Sequence, residues 1–198
     1  MYLQIFGQKE LEEHIINRGE IYSHLISIGN PGRKRKNRLD TFIPKIFKDN
    51  FSSILRLKFY DVSKKSHLGR MKPRRIPKNK DVRKVINYIH KTRRAATGYT
   101  IHCWQGISRS TAIGLGILYI LHQDEEVAIR ELKKIRNEAN PNPLIVKYFD
   151  EILECNLSKY NEALRSKILE ELKVWFFNEI DDGDALLEEL ETINDEEL

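Results

Sequence analysis

At 198 residues the chain is long enough to bury one core of ordinary size, with a terminal extension to spare. Its 40% hydrophobic and 32% charged residues exclude a disordered composition, and no apolar run approaches the ~20 residues that a membrane-spanning helix needs. The net charge of +5 hides an asymmetry: residues 181–198 hold nine acidic and no basic residues, so residues 1–180 carry +14, a field that favours an anionic partner or, in the plainer reading, a well-solvated surface.

Tyr2 to Phe6 alternates apolar and polar residues and reads as a short strand, followed by a helix over Gln8–Asn17. Tyr22–Ile28 reads as a stronger strand, stopped by the turn signal Asn30-Pro31-Gly32. Arg33–Arg38 then packs five basic residues into six positions. Ile54–Tyr60 alternates again and reads as a third strand. Residues 63–80 hold eight Lys or Arg, no acid, two prolines and a glycine, and read as a loop. The two basic segments, 33–38 and 63–80, offer a rim for an anionic partner, with a solvated loop as the alternative. Asp81 reads as the cap of a helix running to about Arg94, with Val82, Val85, Ile86 and Ile89 on one face.

Tyr99–His102 is a short strand leading into Cys103. Arg109–His122 is apolar on most sides and reads as a central buried helix, its two glycines marking close packing. Glu125–Asn137 is amphipathic and is broken by Pro141 and Pro143; Leu144–Glu154 is a further helix. Ser158–Asn178 is the last, with Leu164, Ile168, Leu172, Trp175 and Phe176 at helical spacing. Strands alternating with helices, then a helical second half, predict an α/β fold: a central, mostly parallel sheet flanked by helices, with a helical C-terminal extension. The expected organisation is one domain over 1–157, an amphipathic helix over 158–180 packed on it, and a flexible acidic tail over 181–198.

The chemistry concentrates in His102-Cys103-Trp104-Gln105-Gly106-Ile107-Ser108-Arg109-Ser110-Thr111. A strand delivers a cysteine to a tight loop with a glycine in its middle, and the loop runs into the N-terminus of an apolar helix. Six successive backbone N–H groups turned inward there would form an anion nest at the positive end of a helix dipole. Arg109 closes the ring with a planar fork that suits two oxygens of a tetrahedral oxyanion. The same field favours Cys103 as a thiolate aimed at phosphorus. Attack would expel a poor alkoxide or phenoxide leaving group, so the site needs an acid. The Ser110 hydroxyl lies where it would steady the departing thiolate, and His102 reads as a brace for the loop rather than a proton donor. For Trp104, packing into the core is the expected role, with the rim or floor of the pocket as the alternative.

This segment resembles the H-C-x-x-G-x-x-R-[S/T] loop of the cysteine-based protein tyrosine phosphatase superfamily, and its flanks resemble the dual-specificity type, especially the compact bacterial and viral-style members. The order of strand, acid loop, helix, strand, phosphate loop and apolar helix is similar over residues 1–155, and Asn137–Ile145 resembles the Pro-Asn segment of that group. The resemblance implies a sheet flanked by helices, no metal, no cofactor, and hydrolysis of phosphate monoesters through a phosphocysteine. It also implies an aspartate acid on the loop after the preceding strand. Asp61, in Phe59-Tyr60-Asp61-Val62, is the choice; Asp81 is the rival, better explained as a helix cap. Asp61 and Cys103 are 42 residues apart, longer than compact members usually show.

The expected catalytic set is therefore Cys103, Asp61, Arg109 and Ser110. Trp104, Gln105, Gly106, Ile107, Ser108 and Arg109 form the phosphate site, and His102 supports it. The expected substrate is a phosphorylated protein or peptide carrying phosphotyrosine, with phosphoserine and phosphothreonine as the wider set. An RNA 5′-phosphatase, a phosphoinositide phosphatase and a non-catalytic phosphate-binding module are the competing readings. Little aromatic interleaving accompanies the basic residues, so no specific nucleic-acid binding is expected. Two cysteines exclude a disulfide scaffold, and with no basic-then-apolar leader the chain reads as cytoplasmic, without a membrane span. Cys155 reads as a small packed residue, or else a redox partner for Cys103.

Overall fold

The computed structural model describes residues 2–31, 44–63 and 75–179. Four strands, β1 (Tyr2–Gly7), β2 (His24–Gly29), β3 (Ser53–Lys58) and β4 (Gly98–Cys103), form one sheet in the order β1-β4-β2-β3. Every pairing is parallel. Parallel strands need covered faces, and the two central ones, His24-Leu25-Ile26-Ser27-Ile28-Gly29 and Gly98-Tyr99-Thr100-Ile101-His102-Cys103, are buried along their whole length.

The period of two divides the sheet residues between two layers. On one face, Leu11 of α1 (Gln8–Ile16) packs with Leu25 and Phe51, flanked by Phe6 and Ile54. On the other, Leu3, Ile5, Ile26, Ile28, Leu57, Tyr99, Ile101 and Cys103 meet α2 (Asn79–Thr92), α3 (Arg109–His122), α4 (Glu125–Ile135) and α5 (Pro143–Leu153). The centre of this layer is α3, which is buried from Arg109 through Leu118. Its glycines do mark close packing: a Cβ on Gly116 would lie 2.4 Å from the Phe149 ring, and one on Gly114 would lie 2.7 Å from Ile5.

Two local expectations are corrected. Asp81 is the third residue of α2 rather than its N-cap; its carboxylate accepts from the Lys78 N–H (3.1 Å) while its own N–H donates to the Lys78 carbonyl (2.8 Å). A 3-10 helix over Lys45–Asn50, too short for a periodic signature, was not foreseen; Phe47 and Phe51 tie it into the α1 layer.

The chain divides into two compact units, 1–162 and 163–198. The first contains the sheet and α1–α5; α6 (Leu157–Glu179) begins in it, and residues 163–179 of the second continue that helix. The basic stretches at 33–38 and 64–74, the acidic tail, and the side chains of Ile168, Leu172, Trp175 and Phe176 lie outside the described residues. No helix among the described residues is long and apolar enough to cross a membrane.

Candidate active site

All four parallel strands end on the same side, the edge where open α/β sheets hold their ligands. Gly7 ends β1, Asn30 follows β2, Phe59 and Asp61 follow β3, and Cys103 ends β4. Residues far apart in sequence thus surround the loop Cys103–Arg109.

Backbone accounting fixes how that loop turns. The Trp104 carbonyl accepts from the Gln8 N–H (3.1 Å). The Ile107 carbonyl accepts from the Asn140 N–H (3.0 Å), and from the Thr111 hydroxyl. The Ser108 carbonyl accepts from the N–H groups of Ala112 (3.0 Å) and Asn142 (3.2 Å). In a trans peptide the C=O of one residue and the N–H of the next point in opposite directions. With carbonyls 104, 107 and 108 bound to the surrounding protein, the N–H groups of Gln105, Ser108 and Arg109 face the concavity. The Gly106 N–H points at the Cys103 sulfur, 3.3 Å away.

Gly106 is required twice over. Its φ is +79°, and a Cβ there would lie 2.5 Å from the Gly7 nitrogen. Gly7 is itself the register partner of Cys103, so the end of β1 lies directly against the loop. Gly106→Ala is expected to raise the dissociation constant for vanadate at least ~10-fold, because strain of about 1–3 kcal/mol falls on the amide cup; isothermal titration calorimetry reads it.

Cys103 is 2% exposed, and its sulfur lies 3.2 Å from the Ser110 hydroxyl. Arg109 is 3% exposed. Its Nη1 donates to the Asn30 side-chain oxygen (2.7 Å) and to the Phe59 carbonyl (3.0 Å), which fixes the guanidinium plane. Its Nε is buried without a hydrogen-bond partner among the described residues, 3.6 Å from Asp61 Oδ2. A buried charged donor left unmatched costs free energy, of order 1–3 kcal/mol, that an arriving oxyanion would recover.

Asp61 sits over this loop. Its Oδ1 accepts from the Ser108 hydroxyl (2.8 Å) and from Asn142 Nδ2 (2.7 Å). Asn142 also caps α5, its side-chain oxygen accepting from the N–H groups of Leu144 (3.1 Å) and Ile145 (3.2 Å). Asp81, the rival, is 2% exposed and occupied at the start of α2. Sequence reasoning noted the Asn-Pro-Asn-Pro segment but not that Asn142 holds the aspartate; an Asn before a helix-opening Pro signals the cap, not the second partner. It also missed Asn30, read only as part of a turn.

His102 is fully buried, with Nε2 2.7 Å from the Ser27 hydroxyl. Burial above all, with Arg109 and Arg56 adding to it, lowers its pKa to about 4, against a partial opposing effect of the Cys103 carbonyl. The ring is neutral at physiological pH, as a brace requires. Below the unfolded pKa of ~6.5 the unfolded chain binds the extra proton, so stability falls as pH drops from about 6.5 to about 4. The loss expected is of order 3 kcal/mol, and urea unfolding of His102→Gln across that range should have a flatter pH dependence.

Trp104 departs from expectation: it is not core but 38% exposed on the rim, because its carbonyl is held by α1 and its side chain falls outside the sheet layers. Cys155 is a packed thiol that donates to Asp150 Oδ1 (3.4 Å). Burial and the Asp150 carboxylate push its pKa up to about 12, so it stays protonated and inert. Among the described residues no three His, Cys, Asp or Glu side chains gather into a metal site.

No family model matches the chain. Dual specificity protein phosphatase 15 of Mus musculus is 28% identical over 93 residues, which is 46% of this chain and 40% of that relative, so the match spans well under half of the relative's length. The crystal structure of DUSP15 superposes with a TM-score of 0.50 at 21% identity, over 81% of this chain and 90% of that one. That of PTPMT1 gives 0.52 at 18% identity, over 83% and 94%. At such identities the likeness is one of fold, and the fold is that of the cysteine phosphatases. The chain has the fold of the dual-specificity-phosphatase-like cysteine phosphatases and resembles one of them in sequence over 93 residues.

Proposed function

We propose that this protein hydrolyses phosphate monoesters on phosphorylated protein or peptide, phosphotyrosine first and phosphoserine or phosphothreonine as the wider set. The observation that supports this most is the cup around the Cys103 sulfur: amides 105, 106, 108 and 109 and the unmatched Nε of buried Arg109.

In the first step the Cys103 thiolate attacks phosphorus, the P–O bond to the leaving group breaks, and Asp61 gives its proton to the departing oxygen. The Ser108 and Asn142 hydrogen bonds make Asp61 Oδ1 an acceptor, which leaves Oδ2 to carry the proton. Arg109 and the loop amides balance the charge that gathers on the equatorial oxygens. In the second step Asp61 takes a proton from water, the water oxygen bonds to phosphorus, and the S–P bond breaks. The thiolate leaves toward the Ser110 hydroxyl, 3.2 Å away. A nucleophile of this kind needs a free thiol, so we assign the protein to the reducing cytoplasm; both cysteines are free.

The test is vanadate-sensitive hydrolysis, with a phosphotyrosine peptide, a phosphoserine peptide, 5′-triphosphorylated RNA and a phosphoinositide assayed side by side. The phosphotyrosine peptide should have the highest kcat/KM. The phosphoinositide arm is included because PTPMT1, of the same fold, has been solved with PI(5)P at a TM-score of 0.51. Preference for that lipid or for RNA would move the substrate class, and no turnover of any arm would leave a phosphate-binding module.

A further inference from the structure

A cavity of about 310 Å³ opens beside the phosphate loop, lined by Gly7, Lys9, Glu10, Trp104 and Gln105. It belongs to the neighbourhood of the nucleophile: Gly7 pairs in register with Cys103, and paired strands lie about 4.8 Å apart. An extended peptide advances about 3.3 Å per residue, so a substrate whose phosphate sat over Cys103 would present a side chain one to three residues away to this cavity.

The charges of its walls are unequal. Glu10 is fully engaged: Arg136 Nη1 lies 2.8 Å and 2.9 Å from its two oxygens, and the Gly7 N–H donates to Oε2 (3.0 Å). Lys9 is exposed and has neither a hydrogen-bond nor an ion-pair partner among the described residues. Arg136 also reaches Glu138 (3.2 Å), so the cluster is balanced overall, and Lys9 is the charged wall residue whose head group is left for a ligand. Beside it stand the Gln105 amide, a further donor, and the Trp104 indole, a large apolar surface left 38% exposed.

We propose that this cavity is a specificity subsite for an acidic side chain of the phosphopeptide, with Lys9 as its charge-reading residue. The carboxylate would accept from Lys9 Nζ and the Gln105 amide, and its methylenes would pack on the indole. One cation and one aromatic face suit a single side chain; a nucleic acid strand would call for a track of several. The proposal rests on the phosphatase reading above and adds to it what the enzyme selects.

The experiment compares two phosphotyrosine peptides that differ only in carrying Glu or Ala at the flanking positions, at fixed ionic strength. Wild type should favour the Glu peptide about five-fold in kcat/KM, mostly through KM, the size expected of one exposed ion pair. Lys9→Ala should bring the ratio close to one, and Lys9→Glu should invert it. Lys147→Ala, which removes an exposed charge from α5, should keep the wild-type ratio. An equal ratio in wild type and Lys9→Ala would overturn the subsite, as would a Lys147→Ala effect matching that of Lys9→Ala, since bulk charge would then explain both. So would a Lys9→Ala loss confined to a 5′-phosphorylated oligonucleotide. Hydrolysis of p-nitrophenyl phosphate reports the phosphatase reading separately: its presence with an equal peptide ratio sinks the subsite alone, and its absence sinks both.

Discussion

Cys103→Ser should abolish turnover, with kcat down by roughly 10⁴–10⁶-fold, while tungstate or a phosphopeptide still binds within about three-fold of wild type. The asymmetry follows from which groups do which work. Binding rests on the Gln105, Gly106, Ser108 and Arg109 amides and the Arg109 guanidinium, none of which the substitution removes. Chemistry rests on the sulfur, and a serine hydroxyl has no base beside it to take its proton: Ser110 is a hydroxyl, and the imidazole of His102 is neutral but turned toward Ser27. Single-turnover kinetics with calorimetric titration of tungstate separates the two. If the variant lost anion affinity in parallel with kcat, the cup would depend on the thiolate itself and the assignment of binding to the backbone would be wrong.

The same division explains how far the sequence could be read. A cup made of backbone amides needs little from side chains beyond a glycine for the turn and an arginine to close it, so Cys103, Gly106 and Arg109 stand out by spacing alone. The edge strands were legible by their apolar–polar alternation and α3 by its continuous apolar run, which its burial on most sides requires. What stayed hidden was pairing across the sheet edge. Gly7, Asn30 and Asn142 carry no local pattern tied to the site, yet they seat the loop, anchor Arg109 and hold Asp61, the last two over separations of 79 and 81 residues. Asp81 illustrates the converse. Its place at a helix start was readable, but the exact position was not, because an acid is favoured both at the N-cap, accepting from N–H groups ahead of it, and at the third helical residue, accepting from the N-cap N–H behind it.

Asp61→Asn should cost about 10²–10⁴-fold in kcat on a substrate with a poor leaving group such as phenyl phosphate. The loss should shrink on p-nitrophenyl phosphate, whose leaving group departs with little help from a proton. Asparagine keeps the shape and still accepts at Oδ1 from Ser108 and Asn142, so a large loss would mean the missing proton rather than a displaced loop. Asn142→Ala supplies the complementary case: it leaves the acid and removes one of the two bonds that aim it, and should therefore fall between wild type and Asp61→Asn with the same dependence on the leaving group. Asp81→Asn is the control. It weakens the cap on the Lys78 N–H, so it should lower stability by about 1 kcal/mol and leave the leaving-group dependence as in wild type. If Asp61→Asn slowed both substrates equally and Asp81→Asn slowed phenyl phosphate alone, the acid would be Asp81, and the hydrogen bonds now seen on Asp61 would be those of a loop anchor.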